Sequence, residues 1–330
     1  MINENAIRKV FETSLKLRTG ESCLVVTDTL KQDIGRVFYE AARKITRKAK
    51  LIVMEPGIEH GAEPPEDVAR DMFGYDVELL ITDKSLTHTG ARREATKRGA
   101  RIVTMPSITA ETANRCLDVD YDDIKKMSSH LCSILRNAST VEVTSLSGTD
   151  MIFTIGKSGF FGETGGVFDF PGAFGNLPEG EVAFAPETCE GTYVVDISFA
   201  GLGMLSSPLF FMVRGGVVVD IKGECAEVLI DRLDRVGARA YKVAELGIGL
   251  NPKAMITGNI LEDEKVVGTA HVALGNNTSF GGTNDVQIHL DGVLNNPDIL
   301  VDGVKLMEKG RFLDMPIAPD MIPGDNTLNS

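Results

Sequence analysis

Short apolar runs alternate with amphipathic stretches through the first third of the chain. SCLVVTD (22–28), KLIVMEP (50–56), VELLITD (77–83) and RIVTMPS (101–107) read as strands. The stretches after them, over 31–48, 64–73, 90–99 and 110–117, read as helices. Strands that alternate with helices in this way predict βαβ units and a parallel sheet. A further helical pattern, YDDIKKMSSHLCSILRNA (121–138), closes this first region, so the predicted boundary falls at 1–138 and 139–330.

The pattern then changes. TVEVTS and MIFTIG flank LSGTD and predict a hairpin. Residues 156–191 are dense in Gly and Pro and read as one long loop, ordered by Phe160, Phe161, Phe168, Phe170 and Phe174. Strands are predicted at 192–199, 209–213, 216–221 and 239–245, with a helix at 224–236. The expected fold is therefore α/β: an N-terminal parallel-sheet βαβ domain followed by a C-terminal α+β domain.

Composition narrows the function classes. The 330 residues are 43% hydrophobic and 25% charged, with a net charge of −13. So acidic a surface repels phosphate backbones and anionic bilayers, so neither nucleic acid nor membrane is an expected partner. Five scattered cysteines with no C-x-x-C pair form neither a disulfide framework nor a zinc ribbon. MINENAIRKVFETSLKLRTG reads as an amphipathic helix ending at Gly20, without the apolar core of a signal peptide. The run at 199–213 is too short and too broken to span a bilayer. A cytoplasmic protein is expected.

Familiar catalytic motifs fail. GKS at 156–158 would need a glycine where Met151 stands, so it is not a phosphate loop. GLG (201–203) and GIG (247–249) lack the third glycine of a dinucleotide fingerprint, and no G-x-S-x-G elbow occurs. The basic run 91–98 reads as a solvated helix face, and His60, His88 and His130 as ordinary histidines.

One constellation remains. If DVQIHLDG forms a strand, Gln287, His289 and Asp291 share one face. H-x-D alone is a weak signal, and a hydrogen-bonded surface pair is its plain alternative. His271, however, lies in the apolar segment TAHVALG, just after the acidic LEDEK with Glu262, Asp263 and Glu264. Glu245 ends the apolar KVAE, and Glu181 stands where the Gly-rich loop turns apolar. Carboxylates in apolar settings are costly unless paired or ligated. Facing two histidines, they would satisfy a pair of divalent ions with mixed nitrogen and oxygen ligands.

NLPEGEVAFAP, AELGIG, EDEK, HVALG and H-x-D, in that order over 176–313, resemble the M29 metallo-aminopeptidases, the aminopeptidase T group. The resemblance implies that Glu181, Glu245, Glu264, His271, His289 and Asp291 hold two ions, zinc, cobalt or manganese. It implies hydrolysis of the N-terminal residue of small peptides by a metal-activated water, with Glu245 or Glu264 moving the proton, in a homodimer. The chain departs from that family in three ways. Thr278 stands where the family carries a tyrosine, the segment between the histidines is shorter, and EDEK lies further from its histidine, so Glu262 or Asp263 competes with Glu264. A short branch of the same superfamily includes the Fe(II) ring-cleaving 2,5-dihydroxypyridine 5,6-dioxygenases. That likeness implies a facial triad of His271, His289 and Asp291 around one iron. A third reading is a catalytically silent homologue that binds metal or peptide.

Overall fold

The computed structural model describes residues 2–315. The apolar runs of the first region become β1 (Cys23–Asp28), β2 (Ala49–Met54), β3 (Val77–Ile81) and β4 (Arg101–Thr104). The amphipathic stretches become α1 (Glu4–Lys9), α2 (Gln32–Ile45), α3 (Glu66–Asp71), α4 (Gly90–Lys97), α5 (Ala110–Cys116) and α6 (Tyr121–Arg136). Strands β5 (Thr140–Thr144), β6 (Asp150–Phe161), β7 (Phe174–Asn176), β8 (Glu181–Val195), β9 (Ser198–Phe199), β10 (Gly203–Met204), β11 (Leu209–Arg214) and β12 (Val217–Lys222) come next. After them come α7 (Ala226–Val236), β13 (Val243–Gly249), α8 (Ile260–Asp263), β14 (Ala270–Gly275), β15 (His289–Leu294), β16 (Asp298–Val301), β17 (Val304–Glu308) and β18 (Arg311–Phe312).

The chain forms two units. The first runs from the N-terminus to Tyr121 and takes in Gly166–Glu179; the second comprises Asp122–Gly165 and the chain from Gly180 onward. The first holds a parallel sheet in the order β2-β1-β3-β4-β7. Its strand order reverses between β1 and β3, where doubly wound sheets take ligands at the strands' carboxyl ends. Here Asp28 fills that position from within. Its carboxylate accepts the backbone N–H groups of Leu30, Lys31 and Asp83. The first unit therefore spends its switch point on its own chain.

The second unit is built on a large, mainly antiparallel sheet, ordered β10-β9-β15-β14-β13-β8-β6-β5-β16-β17-β18, with the β11–β12 hairpin attached through β8. Its core joins alternate residues of these strands to Met127, Leu131, Cys132 and Leu135 of α6 and to Leu229 and Leu233 of α7. Among the described residues no helix is long and apolar enough to cross a membrane.

Three sequence expectations shift. The long loop at 156–191 is largely strand, because β6 continues to Phe161, β7 joins the first sheet beside β4, and β8 begins at Glu181. The strand expected at 239–245 lies at Val243–Gly249, because Gly237, at φ +102°, ends α7 and a 3-10 turn over Ala238–Tyr241 intervenes. The DVQIHLDG strand begins only at His289, and Gln287 is exposed outside it. Asn276 diverts the preceding residues: its Nδ2 donates to the Val286 carbonyl and its N–H to the Ile288 carbonyl.

One residue opposes the first unit's stability. Glu78 on β3 is paired in register with Leu24 and Ile102, and with Leu80 it faces the apolar core those residues build. Neither of its carboxylate oxygens has a hydrogen-bond partner. Burial pushes its carboxyl well above the ordinary range. The folded state thus keeps a proton that the unfolded chain releases, and stability falls as pH rises from the unfolded value towards the folded one. Glu78→Met is expected to raise stability at pH 8 by about 1–3 kcal/mol, the typical cost of an unsatisfied buried polar group. Urea unfolding at pH 5 and pH 8 checks this: the variant should show a smaller loss between the two, and an unchanged loss would contradict the assignment.

Candidate metal centre

Four neighbouring strands of the second sheet, β8, β13, β14 and β15, carry the acidic and imidazole residues. Alternation sorts their side chains. One face bears Val182 and Phe184 of β8, Leu246 and Ile248 of β13, Val272 and Leu274 of β14, and Leu290 and Leu294 of β15, all in the main core. The other face bears Glu181, Glu245, His271, His289 and Asp291.

On that second face the large polar side chains are spaced by small ones. Across the strands, Ala183 pairs with Gly247 and Gly247 with His271, while Glu245 pairs with Ala273 and Ala273 with Asp291. The alanine between Glu245 and Asp291 leaves room for the two carboxylates to approach one another. Gly247 is required more strictly, since a Cβ there would stand 2.1 Å from His271 Nε2. Its dihedrals suit any residue, so space alone demands the glycine.

The geometry is tight. His271 Nε2 lies 3.2 Å from Glu181 Oε2 and 3.4 Å from Glu245 Oε1. His289 Nε2 lies 3.0 Å from Glu245 Oε2 and 3.2 Å from Asp291 Oδ1. Glu245 thus spans the two imidazoles with one oxygen each. Donor atoms of Glu181, Glu245 and His271, of Glu245, His289 and Asp291, and of Glu264, His271 and Asp291 fall within 4.8 Å of one another in each set. All six residues singled out in the sequence are brought together, whereas His60, His88 and His130 belong to none of these sets.

The EDEK segment divides its labour. Glu262 Oε1 accepts the Met255 N–H, and Asp263 accepts from Ser198 Oγ and from the N–H groups of Thr257 and Gly258. Both hold the loop over 255–258. Glu264 is the one of the three in a donor set with His271 and Asp291. Lys265, the last residue of EDEK and not among the sequence candidates, is fully buried, with Nζ 2.6 Å from Glu181 Oε1 and 2.5 Å from Glu264 Oε1.

Electrostatics mark a cluster that demands positive charge. Burial opposes the protonated form of His271, yet Glu181 and Glu245 hold its proton on well above the ordinary range. His289 behaves likewise, with Asp291 and Glu245 outweighing burial. Burial works to raise Glu245, but hydrogen bonds from both histidines keep it well below the usual carboxylate range. Burial pushes Glu264 up to about 8, reinforced by Glu181 and Asp291 and opposed by Lys265. A divalent cation would supply the charge that these protons supply.

The residues fit such an ion. His289 Nδ1–H donates to the Asn276 carbonyl at 2.7 Å, which directs the Nε2 lone pair of the neutral ring towards the carboxylates. Glu181 Oε2 is buried and makes no hydrogen bond, although His271 Nε2 faces it at 3.2 Å. Mixed imidazole and carboxylate donors suit zinc, manganese, cobalt or iron.

Residues flanking the donors complete the site. Thr278 is tied by its hydroxyl and its N–H to Asn276 Oδ1. Two residues on, Phe280 stacks against His289 with ring centroids 5.9 Å apart, and Phe161 meets Phe280 edge-on at 5.4 Å. Sequence reasoning missed Lys265, Asn276 and Phe280. The small-residue alternation E-x-G-x-G in β13 and H-x-A-x-G in β14 was a signal that could have located the donor face.

Comparison with known proteins shows a family and a shared fold. The model of the 2,5-dihydroxypyridine 5,6-dioxygenase family matches residues 4–314. The solved 2,5-dihydroxypyridine dioxygenase from Pseudomonas putida KT2440 is similar in fold, with a TM-score of 0.80, 22% identity, and coverage of 94% of this chain and 96% of that one. AmpT from Thermus thermophilus is also similar, with a TM-score of 0.66, 17% identity, and coverage of 94% of this chain and 98% of that one. A search of curated proteins finds no match.

Gly247→Ala is expected to displace the His271 ring and weaken metal binding by at least about tenfold, the scale of losses when a ligand's orientation is disturbed. Titration with Mn(II), alongside circular dichroism to verify folding, measures it. A folded variant with undiminished affinity would contradict the placement of His271.

Proposed function

Because the chain belongs to the 2,5-dihydroxypyridine 5,6-dioxygenase family, we propose that its donor cluster is a mononuclear iron centre that opens a hydroxylated pyridine or similar aromatic ring with O2. The observation that carries this reading is that Asp291 shares one donor set with His289 and another with His271, beside an aromatic flank. His271, His289 and Asp291 are the ion's ligands, and Glu245, on the Nε2 side of both rings, is a further donor. Phe280 and Phe161 supply an apolar surface beside His289 on which a planar ring can stack.

In the reaction a carbon–carbon bond of the ring breaks and both atoms of O2 enter the product. The ring supplies the electrons, so no separate reductant is needed. A ferrous ion at the site supplies the path by which ring and O2 exchange those electrons. The chain's own contribution is to hold the donors on a rigid sheet, to fix the His289 tautomer through Asn276, and to keep the ring against Phe280.

A second reading, hydrolysis of an N-terminal peptide bond by two ions, is favoured by one observation. Glu181 and Glu264 stand beside the other four donors, giving as many ligands as a dinuclear centre uses. In that case Glu245 or Glu264 would take the proton of the attacking water. Thr278 offers no phenol there, and its hydroxyl is held by Asn276.

The expected outcome with anaerobically loaded Fe(II) protein and 2,5-dihydroxypyridine is one O2 consumed per ring lost, read by an oxygen electrode and by ultraviolet absorbance. Phe280→Ala should raise KM about tenfold, the worth of roughly one aromatic contact. No oxygen uptake, together with hydrolysis of amino-acid anilides by the zinc, cobalt or manganese form, would contradict the first reading and support the second.

A further inference from the structure

Lys265 is a charged side chain with none of its surface exposed, set among the donors of the candidate centre. It comes two residues after the end of α8, and its backbone is pinned on both sides. Its N–H donates to the Glu262 carbonyl, and its own carbonyl accepts the Asn251 N–H at 2.7 Å. The ammonium is therefore a fixture of the fold. Nζ lies 2.6 Å from Glu181 Oε1 and 2.5 Å from Glu264 Oε1. An ammonium is a compact point charge with three donors, so it bridges two carboxylates much as a small cation does.

Charge balance limits how many ions the cluster can hold. Glu181, Glu245, Glu264 and Asp291 together carry about four negative charges when ionised. One divalent ion and the Lys265 ammonium leave the cluster with at most about one net negative charge. A second divalent ion would reverse that sign and place itself against a buried ammonium, where the low dielectric magnifies repulsion.

Resting on the mononuclear reading above, we propose that Lys265 is a built-in counter-cation that occupies the Glu181–Glu264 half of the cluster and so limits the centre to one metal ion. On this account Glu181 and Glu264 are neither ligands of that ion nor spectators. They anchor the ammonium, and removing its charge opens a second ion site between them. Lys265 is thus a positioning residue that sets stoichiometry.

The test is ion stoichiometry with Mn(II), measured by elemental analysis after gel filtration of the full chain, with circular dichroism to verify folding. The expected result is one ion per chain for the wild type and two for Lys265→Met. If both bind one, the counter-cation role is overturned while the mononuclear reading stands. If the wild type already binds two, both fail. Should Lys265→Met not fold, Glu264→Gln decides. Retention of one ion supports the proposal, and loss of an ion overturns it by making Glu264 a ligand.

Discussion

Everything in the second unit is arranged around one electrostatic demand. Three carboxylates and two imidazoles share a buried face of four adjacent strands, and Glu264 joins them from the turn after α8, with donor atoms close enough that each carboxylate feels its neighbours. Removing such charges from water costs several kcal/mol per ion unless opposite charge is supplied at contact distance. Part of that charge is covalently built in, as Lys265 between Glu181 and Glu264. The rest is carried by protons on His271 and His289, on the side of each ring that a cation would occupy.

The sheet makes this concentration possible because its two faces have different duties. Leu246, Ile248, Val272 and Leu274 anchor the strands in the core from one side. Gly247, Ala183 and Ala273 give up volume on the other, so that an imidazole or carboxylate can lie across the neighbouring strand. A rigid platform with recesses the width of one side chain holds ligands more accurately than loops would. The first unit has no comparable site at its own switch point, because Asp28 closes it with three backbone hydrogen bonds.

Much of this was legible in the residues. The parallel sheet was readable from apolar runs at helical separations, and β1 to β4 lie within a few residues of their expected limits. The six residues that the structure brings together were singled out from carboxylates and histidines in apolar settings, together with a family resemblance. What escaped the sequence depended on tertiary contacts. Lys265 drew no reading of its own, because nothing local says that its head group is buried. The delayed start of β15 reflects Asn276 capturing the carbonyls before it, a choice the alternation of DVQIHLDG does not reveal. Within EDEK, three equivalent-looking acids separate only when the loop over 255–258 claims two of them.

The match to the dioxygenase family and the likeness of fold to AmpT describe one scaffold. The donor face is the feature on which both readings stand. The most direct test is anomalous diffraction from crystals of the iron-loaded protein. The account predicts a peak about 2.0–2.2 Å from Nε2 of His271 and of His289 and from an oxygen of Asp291, the usual range for imidazole and carboxylate ligands. A peak elsewhere, or bound to the Nδ1 atom of either histidine, would contradict it.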